Sequence, residues 1–238
     1  MVEPSAKFTD IKIPLLEPQH GLDHVSGVLG TPRWWPTGAR VSVVLAHGST
    51  GGMDTPLIDA VHRHLTEQRY LTLRFNFPFA EANKKRKDSM PVLRRALQAA
   101  IATLNADPTA APAHLFVGGI GLGAQVASGL AGARLRVDGL MLMGFPLHKS
   151  NAPEDLQADD LFRVVAPMLF IQGTRDRFCD VNALRNTLGR VGAPTTMFVS
   201  QDADHQLRVT KKSERSNERV HYEVSQAVDG WIGKILES

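Results

Sequence analysis

Apolar positions along this chain follow two periods in alternation. Residues 41–46, Val-Ser-Val-Val-Leu-Ala, form an almost unbroken apolar run, as expected of a strand covered on both faces. After a loop, Leu57, Val61 and Leu65 recur at helical spacing behind Thr55-Pro56, a pairing that suits a helix N-cap followed by its first residue. Residues 70–76 read as the next strand, and a long polar loop then leads to a helix striped by Leu93, Leu97, Ala100, Ile101 and Leu104. Residues 114–117 form a further strand ending in a glycine-rich turn. The helix after it presents the small residues Ala124, Ala127, Ser128 and Ala131. Strands are predicted over 137–143, 167–172 and 195–200, and a last helix carries Val220, Val224, Val228, Trp231 and Ile235. Ahead of all this, residues 12–15 and 24–29 predict two short strands, an antiparallel start to the sheet.

Regular β/α alternation of this kind predicts an α/β fold with a mostly parallel central sheet and helices on both faces. The 238 residues suit a single domain spanning 1–238. Composition narrows the function classes. With 43% hydrophobic and 21% charged residues, and no apolar run near the roughly 20 residues a bilayer span requires, no membrane partner is expected. Residues 1–10 lack the apolar stretch of a secretory signal, so a cytoplasmic location is the expectation. Cys179 is the sole cysteine, which rules out an intrachain disulfide and a thiolate metal cluster; no metal and no cofactor are expected. The net charge of +3 is mild and concentrated at residues 84–87 and 211–212. That is too local for a nucleic-acid partner, and at most it steers anionic ligands.

The chemistry gathers at Gly119-Ile120-Gly121-Leu122-Gly123. A nucleophile elbow puts its central residue on a sharp strand-to-helix turn, with small neighbours so that strand and helix can approach. Gly119 and Gly123 meet that need, but the central residue is Gly121, which has no hydroxyl. The chain order expected of such a site is nucleophile, acid, histidine, the acid after a later strand and the histidine after the last. Asp176 and His205 fall at those places. Asp176 would orient the imidazole, and His205 would accept and return the proton. An oxyanion hole would use the backbone N–H groups of Leu122 and Ser49, with His47 shaping the loop beside it. His47, Gly48, Phe77 and Phe145 are expected around the substrate pocket, and residues 147–160 are the candidate for a short lid.

Four motifs carry a resemblance over residues 41–205: Ala46-His47-Gly48-Ser49-Thr50-Gly51-Gly52-Met53-Asp54, Arg74-Phe75-Asn76-Phe77-Pro78-Phe79, Gly173-Thr174-Arg175-Asp176 and Ala203-Asp204-His205. In these the chain resembles the dienelactone-hydrolase-like α/β-hydrolases, a group that includes the testis-expressed hydrolase-like proteins and a subunit of a chromatin-acetylation complex. The resemblance implies an α/β-hydrolase fold with little or no lid, carboxylester hydrolysis and no metal. It also implies a serine where this chain has Gly121. An inactive or strongly impaired hydrolase that keeps its pocket for a small ester-like ligand is therefore expected, either a natural pseudoenzyme or a chain whose serine has been replaced. Hydrolysis by a water held between His205 and the vacated position is a third possibility. Two other readings stand beside it. One is a non-catalytic ligand- or protein-binding scaffold. The other is a dinucleotide-binding protein, since Gly119-x-Gly121-x-x-Ala124 matches the fingerprint, with Asp138 as its acid.

Overall fold

The protein is represented by a computed structural model that describes residues 6–34, 40–106 and 112–237. Its centre is an eight-stranded sheet of order β1-β2-β4-β3-β5-β6-β7-β8. The strands are β1 (Ala6–Gln19), β2 (Leu22–Pro32), β3 (Val41–Ala46), β4 (Leu71–Phe75), β5 (His114–Ile120), β6 (Gly139–Met143), β7 (Met168–Gly173) and β8 (Thr195–Ser200). The pairs β1/β2 and β2/β4 are antiparallel, and every other pair is parallel. The expected α/β-hydrolase fold, with its antiparallel start, is the one observed.

The strands buried on both faces are the ones an apolar run identifies. In β3, Val43 and Leu45 join the core beneath α1 (Pro56–Glu67) and α6 (Asn217–Leu236), whereas Val44 and Ala46 join the core on the other face, as the alternation of side chains along a strand requires. That second face is covered by α3 (Met90–Asn105), α4 (Leu122–Gly132) and α5 (Val181–Leu188). A single short turn of helix, α2 (Pro78–Glu81), interrupts the long loop after β4.

Two elements differ from the sequence reading. The opening strands are far longer than 12–15 and 24–29, pairing from Ala6↔Pro32 to Gln19↔Leu22 around a turn at His20-Gly21. β1 is an edge strand with mostly exposed or half-exposed side chains, so backbone pairing rather than apolar patterning extends it. Helix α5 was not foreseen. It buries only Leu184, Thr187 and Leu188 and begins where the Asp180 carboxylate accepts from the Asn182 and Ala183 amides, a capping signal without an apolar stripe long enough to read. Among the described residues no helix is long and apolar enough to cross a membrane.

Candidate functional site

Because β3 through β8 run parallel, the loops that leave their C-terminal ends collect along one edge of the sheet, where ligands bind in open α/β sheets. The sharpest of these loops is a single residue. β5 ends at Ile120 and α4 begins at Leu122, with Gly121 between them at φ 54 and ψ −108. Its N–H donates to the Met143 carbonyl at 2.9 Å, and its carbonyl accepts from Gln125 at 3.1 Å. A side chain at such angles costs about 1–3 kcal/mol of backbone strain, which glycine avoids. The flanking glycines answer a different need. A Cβ at Gly119 would stand 2.5 Å from the Ala46 carbonyl oxygen, and one at Gly123 would collide with the same atom. Only glycine lets β5, α4 and β3 meet this closely.

Asp176 lies in the turn after β7, its side chain fully buried. Oδ1 accepts from the Phe178 amide at 2.8 Å; Oδ2 accepts from Gln172 Nε2 at 2.6 Å and from His205 Nδ1 at 2.9 Å. With three donors aimed at it, the carboxylate acts purely as an acceptor, so His205 Nδ1 carries a proton. In the neutral ring the lone pair is then on Nε2. That nitrogen faces the elbow: a Cβ built on Gly121 would lie 2.9 Å from it. Phe178 packs edge-on against the imidazole, ring centroids 4.7 Å apart. The loop that carries His205 is shaped by Asp204, whose Oδ1 accepts from the Gln206 and Arg208 amides. It lies directly on two strand ends, since a Cβ at Gly144 would collide with the His205 carbonyl and one at Gly173 with the Ala203 carbonyl. The structure thus brings Gly121, Asp176 and His205 together.

The loop after β3 is held from below. His47 is fully buried; its Nε2 accepts from the Phe77 amide at 2.9 Å and its Nδ1 donates to the Gly48 carbonyl at 2.6 Å. Burial brings its pKa down to about 4, so the ring is neutral and both nitrogens are used. Asn76 Oδ1 accepts from the Met53 amide at 2.8 Å, and Arg74 donates to the Met53 carbonyl at 2.9 Å while pairing with Asp54 and Asp59. Most of the residues of the Arg74–Phe79 motif are therefore supports for this loop.

A cavity of about 560 Å³ opens beside the elbow, within the range of small-molecule sites. Its walls are residues 48–51, the start of α1, Ile120 and Gly121, the His205 loop, and the first turns of α6. Gly48 and Ser49 lie on this wall. Leu122 starts α4 with its side chain in the core, and its N–H, as the first of a helix, has no partner within that helix. Three expected pocket residues are elsewhere. His47, Phe77 and Phe145 are buried in the interior and line no part of the cavity. Phe77 and Phe145 belong to the core on the α3/α4 face, whereas the apolar wall comes from Leu57 and Ile120. The segment 147–160 is not over the cavity either. It packs beside the Asp176 turn, where His148 N–H donates to the Phe178 carbonyl at 3.0 Å and His148 Nε2 accepts from Asp180 N–H at 3.2 Å. Sequence reasoning missed the α6 contribution, Asn217, Glu218 and His221, because a stripe of core valines dominates that helix.

Other candidates resolve on the same geometry. Cys179 is buried, and burial together with the Asp176 carboxylate pushes its thiol up to about 12, which leaves no thiolate to attack. Asp138 binds His114 Nδ1 at 3.0 Å and the Leu115 amide at 2.8 Å, at the start of β5 and the end of the sheet opposite Gly121. It offers nothing to a ribose at the turn, and the dinucleotide reading is withdrawn. Lys84, Arg86 and Lys87 border a separate hollow with His20 and Asp88, whereas Lys211 lies with Arg175, Arg177 and Arg208 around a hollow that adjoins His205. Among the described residues no group of His, Cys, Asp and Glu is arranged to hold a metal ion.

A doubly covered sheet, a one-residue strand-to-helix turn, and an acid and a histidine delivered by later loops of the same edge define the α/β-hydrolase fold. Residues 39–233 match the alpha/beta hydrolase domain family, and the chain belongs to it. It is similar in structure to XC6422 of Xanthomonas campestris, an a/b serine hydrolase without lid, at 19% identity and TM-score 0.71 over 94% of this chain and 95% of that one. Dienelactone hydrolase of Anabaena variabilis aligns at 19% identity and TM-score 0.70 over 94% and 97% of the two chains. Est1E of Butyrivibrio proteoclasticus with ferulic acid bound aligns at 15% identity and TM-score 0.70 over 94% and 99%.

Proposed function

We propose that this chain is an ester hydrolase of the dienelactone-hydrolase kind in every part but its nucleophile, and that as written it binds a small ester-like ligand rather than cleaving it. One observation carries the reading: His205 Nε2 is 2.9 Å from where a Cβ on Gly121 would stand, at the backbone angles of an elbow, with Asp176 behind the ring. In this reading a serine at that position would pass its proton to Nε2 as its oxygen attacks the ester carbonyl. Asp176 would stabilise the resulting imidazolium, and the Leu122 and Ser49 amides would hold the oxyanion. His205 would return the proton to the leaving alcohol, then draw one from the water that releases the acyl group. With glycine the sequence cannot begin, a loss of about a millionfold by analogy with serine proteases lacking their nucleophile. A water in the hydroxyl's place would lack the fixed position that the elbow gives a serine oxygen.

Hydrolysis of short-chain aryl esters by the chain and by its Gly121→Ser form tests this. Activity confined to the serine form is expected, and equal, negligible rates in two folded proteins would overturn the esterase reading.

A further inference from the structure

The wall of the cavity carries polar groups that the hydrolase reading does not use. His221 projects from the buried face of α6, between Val220 and the buried Val224 and Ser225. The residue is 9% exposed, lines the cavity, and its ring hydrogen-bonds to no group among the described residues. Thr55, at the start of α1, also lines the cavity, but its hydroxyl is buried beneath the surface. Asn217 joins them; its Oδ1 is occupied by the Val209 amide at 2.8 Å, which leaves its Nδ2 as a donor. Leu57 and Ile120 make another part of the wall apolar. A ring and an amide that border one cavity with hydrogen-bonding capacity unclaimed by the protein point to a ligand group that pairs with them.

The charges on the same wall decide what that group is. Arg208, the cation on the wall, is held by Asp204 through Nε at 3.3 Å and Nη2 at 3.1 Å. Glu218, in the first turn of α6, also borders the cavity; it already takes the favourable place for an anion at a helix start and repels a second one. Burial lowers the pKa of His221 despite the opposing pull of Glu218, so at neutral pH the ring offers one N–H and one lone pair. An alcohol or phenol, which both donates and accepts, matches such a ring and the Asn217 amide; a carboxylate does not.

We infer that His221, with Asn217, forms a specificity subsite for an uncharged hydroxyl group on the ligand. This rests on the proposed ligand-binding role of the cavity, which the test separates from it. Binding of methyl 3-(4-hydroxyphenyl)propanoate and of its deoxy analogue, methyl 3-phenylpropanoate, is measured by calorimetry on the chain as it exists, while the His205 ring resonances are followed by NMR. About tenfold tighter binding of the hydroxylated probe is expected, the worth of one well-made hydrogen bond. His221→Leu should bring the two probes to the same affinity, and His221→Gln should retain part of the preference. Equal affinity of both probes for the unaltered chain, or a preference that survives in a folded His221→Leu protein, would overturn the subsite and leave the ligand-binding reading standing. If neither probe binds or moves the His205 resonances, the ligand-binding reading fails and the subsite with it.

Discussion

The loop after β3 and the loop after β8 both border the cavity, yet they are secured in opposite ways. The first is tied from beneath by buried side chains: His47 spends both ring nitrogens, Asn76 holds the Met53 amide, and Arg74 spans Met53, Asp54 and Asp59. The second rests on absences of side chain, at Gly144 and Gly173, and presents a histidine with one nitrogen fixed by Asp176 and the other free toward Gly121. None of the first loop's ties involves residue 121. The atoms nearest a Cβ there all belong to His205, on the second loop. The ties of the first loop therefore hold whichever residue stands at 121.

The contrast has consequences of decreasing size. Gly123→Ala places a methyl against the Ala46 and His47 carbonyls, backbone that cannot give way, and should cost at least about 3 kcal/mol in chemical denaturation; a loss under 1 kcal/mol would mean that strand and helix are not in such close contact. Asn76→Ala strands the Met53 amide, for an expected loss of about 2 kcal/mol, with faster amide exchange over residues 48–54 and little change around His205. Equal loosening of both loops would break the distinction between them.

Acid acts through the buried histidines. His47 and His62 have pKa values lowered by burial to about 4 from 6.5. Between those values the unfolded chain binds protons that the folded chain refuses, so stability falls as pH drops from about 6.5 toward 4. His62→Leu should flatten part of that decline in a pH series of thermal melts, and an unaltered slope would remove His62 from the account. The smallest effect is expected at Gln206, whose Nε2 joins the two loops through Thr50 at 2.9 Å in an exposed position. Gln206→Ala should alter stability by no more than about 0.5 kcal/mol, and a larger loss would show that the loops depend on each other.

What could be read from the sequence follows from which forces leave a local trace. Strands buried on both faces announce themselves as apolar runs, and β3 coincides with residues 41–46. The elbow was legible because close packing demands glycine at 119 and 123 whatever residue stands between. The β1 edge was not, since a half-exposed strand needs no apolar pattern to pair. The pocket wall was misjudged for a related reason. Phe77 and Phe145 are adjacent to the site in the chain but turn into the core, while the actual wall borrows Leu57 and His221 from helices whose apolar stripes serve packing first.

On the proposed function, residue 121 alone separates this chain from a working serine hydrolase. Fluorophosphonate labelling followed by peptide mapping addresses it directly, because the probe needs an activated hydroxyl. One adduct at residue 121 of the Gly121→Ser protein, and none on the original chain, is the predicted result. A folded serine form that stays unlabelled, or an adduct on any residue of the original chain, would contradict it.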